Sequence, residues 1–245
     1  ELGIWNVEFA RMILAIETSS RLLGVALAEG ERILSSLELL ADYPHAAELP
    51  GAVTRVLQEA RTTLKGVEAI VVDIGPGSFT GLRIGLAFVK ALAFPHKTPV
   101  VGIPSLDVLA AGLSSAQRLV CPLLDAKQKN VYGALYHLEG GRPMRQTDYF
   151  LGPVEDLLSR ITEPVVFLGD GCALYRDRIR ARCPEAQFAC AELWLPRSAT
   201  LARLGQARLL QGEPDDPAQL VPLYLYPRDC QVRGPNRPTS VLHAG

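Results

Sequence analysis

Apolar residues run from 12 to 17 and stop at Glu17; a second run covers 22–28, and after the turn Glu29-Gly30-Glu31 a third covers 33–40. Short apolar runs divided by tight turns predict three antiparallel strands. From 45 to 64 the period changes. Leu49, Val53, Val56, Leu57, Ala60 and Leu64 share one broad face, which predicts a helix, with Pro50 either in its first turn or at a kink. Residues 69–74 are apolar except for Asp73 and read as a buried strand, 80–94 as a second helix, and 100–103 as another strand. The order βββαβα predicts a ribonuclease-H-like lobe.

The second half repeats this plan. A strand over 119–125 ends in Asp125, a strand over 131–138 meets the turn Glu139-Gly140-Gly141, and 142–150 returns. A helix over 154–161, a strand over 165–168 and a helix starting near Cys172 follow. Glu17 and Glu29-Gly30-Glu31-Arg32 correspond in order to Asp125 and Glu139-Gly140-Gly141-Arg142, which points to internal duplication. A last amphipathic helix over 201–210 fits either half. The expected division is an N-terminal extension over 1–11, an N-terminal lobe over 12–104, a C-terminal lobe over 105–226 and a flexible tail over 227–245. Met12 is the expected natural start, because residues 1–11 lack a signal peptide's apolar stretch.

The most informative segment is Gly75-Pro76-Gly77-Ser78-Phe79-Thr80-Gly81-Leu82-Arg83-Ile84-Gly85, between a strand and a helix. Such a turn suits phosphate binding at a helix N-terminus, a tight structural turn, or a partner surface. Its spacing matches neither G-x-G-x-x-G nor G-x-x-x-x-G-K-[ST]. The helix after it carries only Arg83 and Lys90 as charges, and apolar or small residues fill the rest of its circumference. A helix apolar nearly all round should be buried nearly all round, and a small lobe covers one face. This favours the partner surface, with Gly81 and Gly85 letting another backbone approach.

Composition narrows the chemistry. The 245 residues include 25 basic and 26 acidic ones, a formal net charge of −1, so the totals do not favour autonomous nucleic-acid binding. Cys121, Cys172, Cys183, Cys190 and Cys230 are odd in number without C-x-x-C spacing, the usage of reduced thiols in a cytoplasmic protein. No apolar run approaches a membrane span. His45, His96, His137 and His243 are scattered, no H-E-x-x-H or G-x-S-x-G occurs, and Ser78 has no evident base; neither a metal site nor nucleophilic catalysis is expected. Glu17 and Asp125, ending equivalent strands, are candidates to hold Mg²⁺ beside a nucleotide, with Gly169 and Gly171 as an adenosine-contacting turn, but neither acid is followed by a phosphate-admitting glycine.

Met12-Ile13-Leu14-Ala15-Ile16-Glu17-Thr18, the block from Gly75 to Gly85, Asp125-Ala126-Lys127 with Val131-Tyr132, and Pro222-Leu223-Tyr224-Leu225 together resemble the bacterial TsaB (YeaZ) family. The resemblance implies an α/β, two-lobed, duplicated fold of the actin/sugar-kinase/Hsp70 type. It implies a non-catalytic subunit in forming N6-threonylcarbamoyladenosine beside the anticodon of tRNAs reading ANN codons. ATP and metal are then expected on partner subunits: the catalytic paralogue TsaD and the ATPase TsaE. tRNA is expected only within the complex; with no partner, the self-complementary pairing surface is expected to support a homodimer. The pairing surface so implied comprises Gly77, Ser78, Phe79, Thr80, Gly81, Leu82, Arg83, Gly85, Leu86, Val89 and Lys90, with His45, Leu49 and Val53 from the preceding helix. Glu17 stands where relatives often carry Asp. An ATP-dependent phosphotransferase working in the cleft between lobes is the alternative.

Overall fold

The computed structural model describes residues 12–40, 45–113, 116–212 and 214–226. The expected 1–11 extension and 227–245 tail, with Cys230 and His243, lie outside the described residues. The first sheet has five strands in the order β3-β2-β1-β4-β5: β1 Ile13–Glu17, β2 Leu22–Glu29, β3 Arg32–Leu40, β4 Ala69–Gly75 and β5 Val100–Pro104. The first three are antiparallel, and β4 and β5 add parallel to β1. Strand β1 is buried along its whole length because both faces of the sheet are covered. On one face lie helix α1, His45–Glu59, and helix α2, Phe79–Ala93. Leu49, Val53 and Val56 of α1 and Leu86 and Val89 of α2 join Leu14, Ile16, Val25 and Val72 in one core.

The second half repeats the first. Its strands are β6 Leu119–Asp125, β7 Asn130–Gly133, β8 Tyr136–Glu139, β9 Arg142–Arg145, β10 Phe150–Pro153, β11 Val165–Leu168 and β12 Gln187–Phe188. The path β10-β7-β6-β11-β12 copies the first sheet position by position. The two hairpin turns copy each other as well: Gly30 has φ +57° and Gly140 φ +58°, both facing open space. This is the two-lobed, duplicated α/β architecture of the actin/sugar-kinase/Hsp70 group.

Two details depart from the expected elements. The strands expected over 131–138 and 142–150 are each broken in two. At the break the Leu135 N–H donates to Thr147 Oγ1 and the Leu135 carbonyl accepts from the Gln146 N–H, so the ladder bonds leave strand register. Helix α3, Ser105–Ala111, is an addition to the expected elements; it is short and almost wholly buried, so it shows no polar face to set a helical period. Its Asp107 accepts hydrogen bonds from the hydroxyls of Tyr136 (2.6 Å) and Tyr149 (2.9 Å), fixing the connector to the second lobe.

The division at residue 104 also needs correction. Helix α4, Val154–Leu158, and helix α5, Gly171–Arg182, belong to the second lobe, but helix α6, Ser198–Leu210, returns to the first. Leu201, Ala202 and Leu209 pack with Ile13, Ala15, Val71 and Val101 on the face opposite α1 and α2. Gly205 sits where any Cβ would collide with Val71. Beyond α6, Asp215 accepts from the Gly102 N–H (2.8 Å) and Arg208 donates to the Gly102 carbonyl (2.8 Å), stitching the chain to β5. The first lobe is therefore discontinuous in sequence.

Gly51 of α1 is exposed and has an ordinary helical backbone, and a Cβ added there would meet no atom within 4 Å. Gly51→Ala is expected to raise the unfolding free energy by about 0.5–1 kcal/mol, since alanine restricts the unfolded chain and favours helix. Urea denaturation checks this; an unchanged or lower midpoint would show that the first turns of α1 are not helical in solution.

Candidate interaction surface and the cleft behind it

The glycine-rich block folds against the turn that follows β1. Ser78 N–H donates to the Ser19 carbonyl (2.6 Å), and Ser78 Oγ caps α2 by accepting from the Gly81 N–H (3.2 Å). A Cβ on Gly77 would strike the Ser19 carbonyl, one on Gly81 the Thr18 carbonyl, and one on Gly85 the Thr18 side chain. These three glycines, spaced four apart, let α2 press directly onto Thr18 and Ser19. His45, at the start of α1, closes the same corner, with Nε2 2.8 Å from the Ser20 carbonyl oxygen.

This placement corrects the expected pairing surface. Gly81 and Gly85 admit the chain's own turn, not a partner backbone. Leu49, Val53, Leu82, Leu86 and Val89 are buried in the chain's own core and have nothing left to offer a second protein directly. Ser78, Phe79, Thr80 and Arg83 are exposed, and His45, Gly77 and Lys90 are partly so; Lys90 Nζ also donates to the Ala218 carbonyl (3.4 Å). Residues not singled out in sequence complete the open side. Ala87 and Ala91 are exposed, and Ile84, Phe88 and Leu92 are half-buried. Phe79 is 57% exposed, and Phe94, just past the helix end, is 86% exposed. The open face of α2 is thus a strip with a phenylalanine near each end, alanines in the middle and two charges along one side, the partly exposed Lys90 and Arg83, whose guanidinium lies 4.9 Å from the Phe79 ring centre.

Behind the strip, a cleft of about 1150 Å³ separates the lobes, bordered by Ser20, Arg21, Thr80, Lys127, Tyr132 and Asp170. Residues 220–226 form a strap across it. The Leu223 N–H donates to the Ile74 carbonyl (2.7 Å) and the Tyr224 ring meets Phe79 at 5.4 Å, both on the first lobe. Tyr226 then reaches the second lobe, where its hydroxyl donates to the Ala126 carbonyl (2.9 Å) and its ring meets Tyr132 edge-on at 6.1 Å.

The candidate nucleotide residues do not converge in this cleft. Asp125 borders it, but its carboxylate is 2.6 Å from Lys127 Nζ. Glu17 is fully buried beneath the Thr18–Ser19 turn and does not line the cleft that Asp125 borders. Its Oε1 accepts from the N–H (2.7 Å) and hydroxyl (2.6 Å) of Ser19. Gly169 (φ +106°) and Gly171 serve close packing against the Leu123 carbonyl. The neighbour of Glu17 is Asp73 on β4, equally buried, whose Oδ1 accepts from the Gly75 N–H (2.7 Å) and the Ser105 hydroxyl (2.6 Å). Glu17 Oε2 and Asp73 Oδ2 remain buried without a donor while both groups are ionised. A proton on one turns the two oxygens into a donor–acceptor pair. Burial, followed by the charge of Asp73, raises the Glu17 pKa well above the ordinary carboxylate range; burial raises that of Asp73. Both carboxylates are buried in the first lobe, and neither borders the cleft.

Among the described residues no group of three or more His, Cys, Asp and Glu side chains is arranged to hold a metal ion, and the four described cysteines are unpaired. No helix among them is long and apolar enough to cross a membrane.

Comparison with known proteins agrees with this architecture. The sequence model of the family described as TsaD, tRNA N6-adenosine threonylcarbamoyltransferase, matches residues 39–230. The tRNA threonylcarbamoyladenosine biosynthesis protein TsaB of Bacillus subtilis is 31% identical over 225 residues, covering 90% of this chain and 96% of its own length. TsaB of Escherichia coli is 29% identical over 67% of this chain and 74% of its own. The solved structure of YeaZ from Pseudomonas aeruginosa superposes with a TM-score of 0.72 at 28% identity, covering 87% of this chain and 99% of that one. The chain belongs to the TsaB (YeaZ) family.

Proposed function

We propose that this protein is the non-catalytic subunit of the cytoplasmic assembly that forms N6-threonylcarbamoyladenosine beside the anticodon of tRNAs reading ANN codons, and that it binds and activates the catalytic TsaD subunit through the open face of α2. The observation that carries this reading is the open face of α2, which runs from Phe79, covered only in part by Tyr224, past the exposed Ala87 and Ala91 to Phe94 and is mostly apolar, with Arg83 and Lys90 along one side. Exposed apolar surface of this kind marks a protein-interaction site. Small residues at its centre let a second helix approach closely, and the flanking phenylalanines supply anchoring area. The match to the TsaD family's own sequence model supports a paralogous partner, one able to present an equivalent helix across a pseudo-two-fold axis. Alone, the same strip suits a homodimer. TsaE joins the complex, ATP and metal reside on the partner subunits, and tRNA is met in the assembled complex. The phosphotransferase alternative loses support because Glu17, its metal-binding carboxylate, is sealed in the first lobe.

Ala91→Arg tests this reading. The site is exposed, so stability should stay within about 0.5 kcal/mol of the native value. An unpaired charge forced into the centre of an apolar interface costs about 3 kcal/mol or more, so affinity for the same organism's TsaD should fall at least about a hundredfold. Gel filtration after co-expression reads the result. A variant that keeps its melting temperature and still co-elutes with TsaD refutes this docking face. Leu86→Arg is unsuitable for the purpose, because Leu86 is a core residue and its replacement unfolds the lobe.

A further inference from the structure

Helix α5 carries Arg176 and Arg180 one turn apart on one side, facing the short edge strand β12 and the loop after it. Arg176 lies 4.6 Å from the centre of the Phe188 ring and 5.7 Å from that of Trp194; Arg180 lies 5.7 Å from Phe188. The aromatic rings are held from behind. Phe188 stacks on the buried Phe167 at 6.0 Å, and Trp194 Nε1 donates to the Ala189 carbonyl (3.0 Å). Together with Gln187 and Cys190 these side chains line a shallow trough of about 530 Å³ at the open edge of the second sheet.

Among the described residues no ion pair neutralises the charges in this trough. Arg178, on another side of α5, pairs with Glu155 (2.9 Å), and Arg197 pairs with Glu38, but no carboxylate among the described residues forms an ion pair with Arg176 or Arg180. Glu192, the nearest acid in sequence to Trp194, is engaged by its own backbone and by Cys190. Arg180 suits the last turn of α5 and both guanidinium groups gain from the rings beneath them, while the two like charges, four residues apart, repel each other and stay open to an anion. A pair of planar guanidinium groups laid over fixed aromatic rings presents stacking faces for a nucleobase and forked donors for a phosphate.

The geometry points to this trough as an RNA-contacting surface, taking an unstacked nucleotide of the tRNA while α2, on the other lobe, holds the partner subunit. The inference rests on the proposed reading for the identity of the RNA; the trough itself lies outside the α2 strip. It also accounts for a nearly neutral chain that binds RNA inside an assembly and not by itself: two arginines and a stacking platform add to a partner's contacts without sufficing alone.

The test uses the assembled complex with TsaD, an unmodified transcript of a tRNA reading an ANN codon, and binding read by fluorescence anisotropy from 50 to 200 mM salt. Removing both guanidinium groups in R176A/R180A should weaken binding about tenfold or more and flatten the dependence of log affinity on log salt by about 1–2 units. R176K/R180K should keep the native salt slope yet bind more weakly, because charge remains and planar stacking is lost. R55A, on the other lobe, should match the native complex. Gel filtration in parallel reports assembly. Unchanged tRNA affinity in R176A/R180A with TsaD still bound overturns the inference and leaves the proposed function standing. Loss of TsaD from that variant also overturns it, by making the trough a protein contact. A native complex that binds no tRNA overturns it as well.

Discussion

Gly81→Ala is expected to lower the unfolding free energy by about 3 kcal/mol, although alanine ordinarily stabilises a helix interior by about 1 kcal/mol over glycine. The added methyl would collide with the Thr18 carbonyl, a backbone atom whose neighbours, Glu17 and Ser19, are fixed by buried hydrogen bonds. No rotamer change relieves that contact. Either α2 lifts from the β1 turn, pulling Leu86 and Val89 from the core, or the turn itself shifts. Urea denaturation, read against Gly51→Ala in the same helical layer, isolates the effect: one glycine-to-alanine change should stabilise and the other destabilise severely. Equal small gains from both would show that α2 does not seat on Thr18 as described.

The second large effect concerns the buried pair. Glu17 and Asp73 both have raised pKa values in the folded chain, so the folded state holds a proton that the unfolded chain releases at ordinary carboxylate pH. Where the folded state binds more protons, stability falls as pH rises. The pair's contribution is complete below about pH 4, near the unfolded carboxylate values. It declines by about 1 kcal/mol per pH unit above that until the folded pair releases its proton. This is opposite in sign to the usual salt-bridged carboxylate. Glu17→Gln should flatten the slope, leaving only what the burial of Asp73 contributes. The amide oxygen can still accept from Ser19, and the amide nitrogen can supply a donor to Asp73 Oδ2, which lacks one, so the variant should be about 1–3 kcal/mol more stable than the native chain at pH 8. Chemical denaturation from pH 5 to 8 decides it; parallel pH profiles for the two proteins would mean the pair carries no shared proton.

Much of the fold was legible in sequence because its signals are local. Strand length, the Gly30 and Gly140 turns and the acid-ended central strands exposed the duplication, and the topology of the second sheet follows the first. What escaped was nonlocal. Leu201, Leu204 and Leu209 announce an apolar face on α6, but nothing in the helix says which sheet it covers. The surface of α2 illustrates the same limit. Helix positions 81 and 85 and helix positions 87 and 91 offer small residues on opposite sides, and an apolar circumference gives no direction to the core. Only the placement of Thr18 shows that the glycines face inward and the alanines outward. Glu17 deceived for a related reason: a carboxylate ending a central strand suggests a ligand in the cleft, whereas here it is buried beside Asp73 of the adjoining strand.

The return of α6 to the first sheet has a consequence for synthesis. A ribosome delivers residues 13–104 early, but the face of that sheet bearing Ile13, Ala15 and Val71 has only Val108 of α3 to cover it until residues 198–210 emerge near the end of translation. The half made first is therefore finished last. A nascent polypeptide stalled before residue 198 carries a largely open apolar sheet face and is a target for chaperone capture, whereas one arrested after residue 226 holds every described element needed to close both halves.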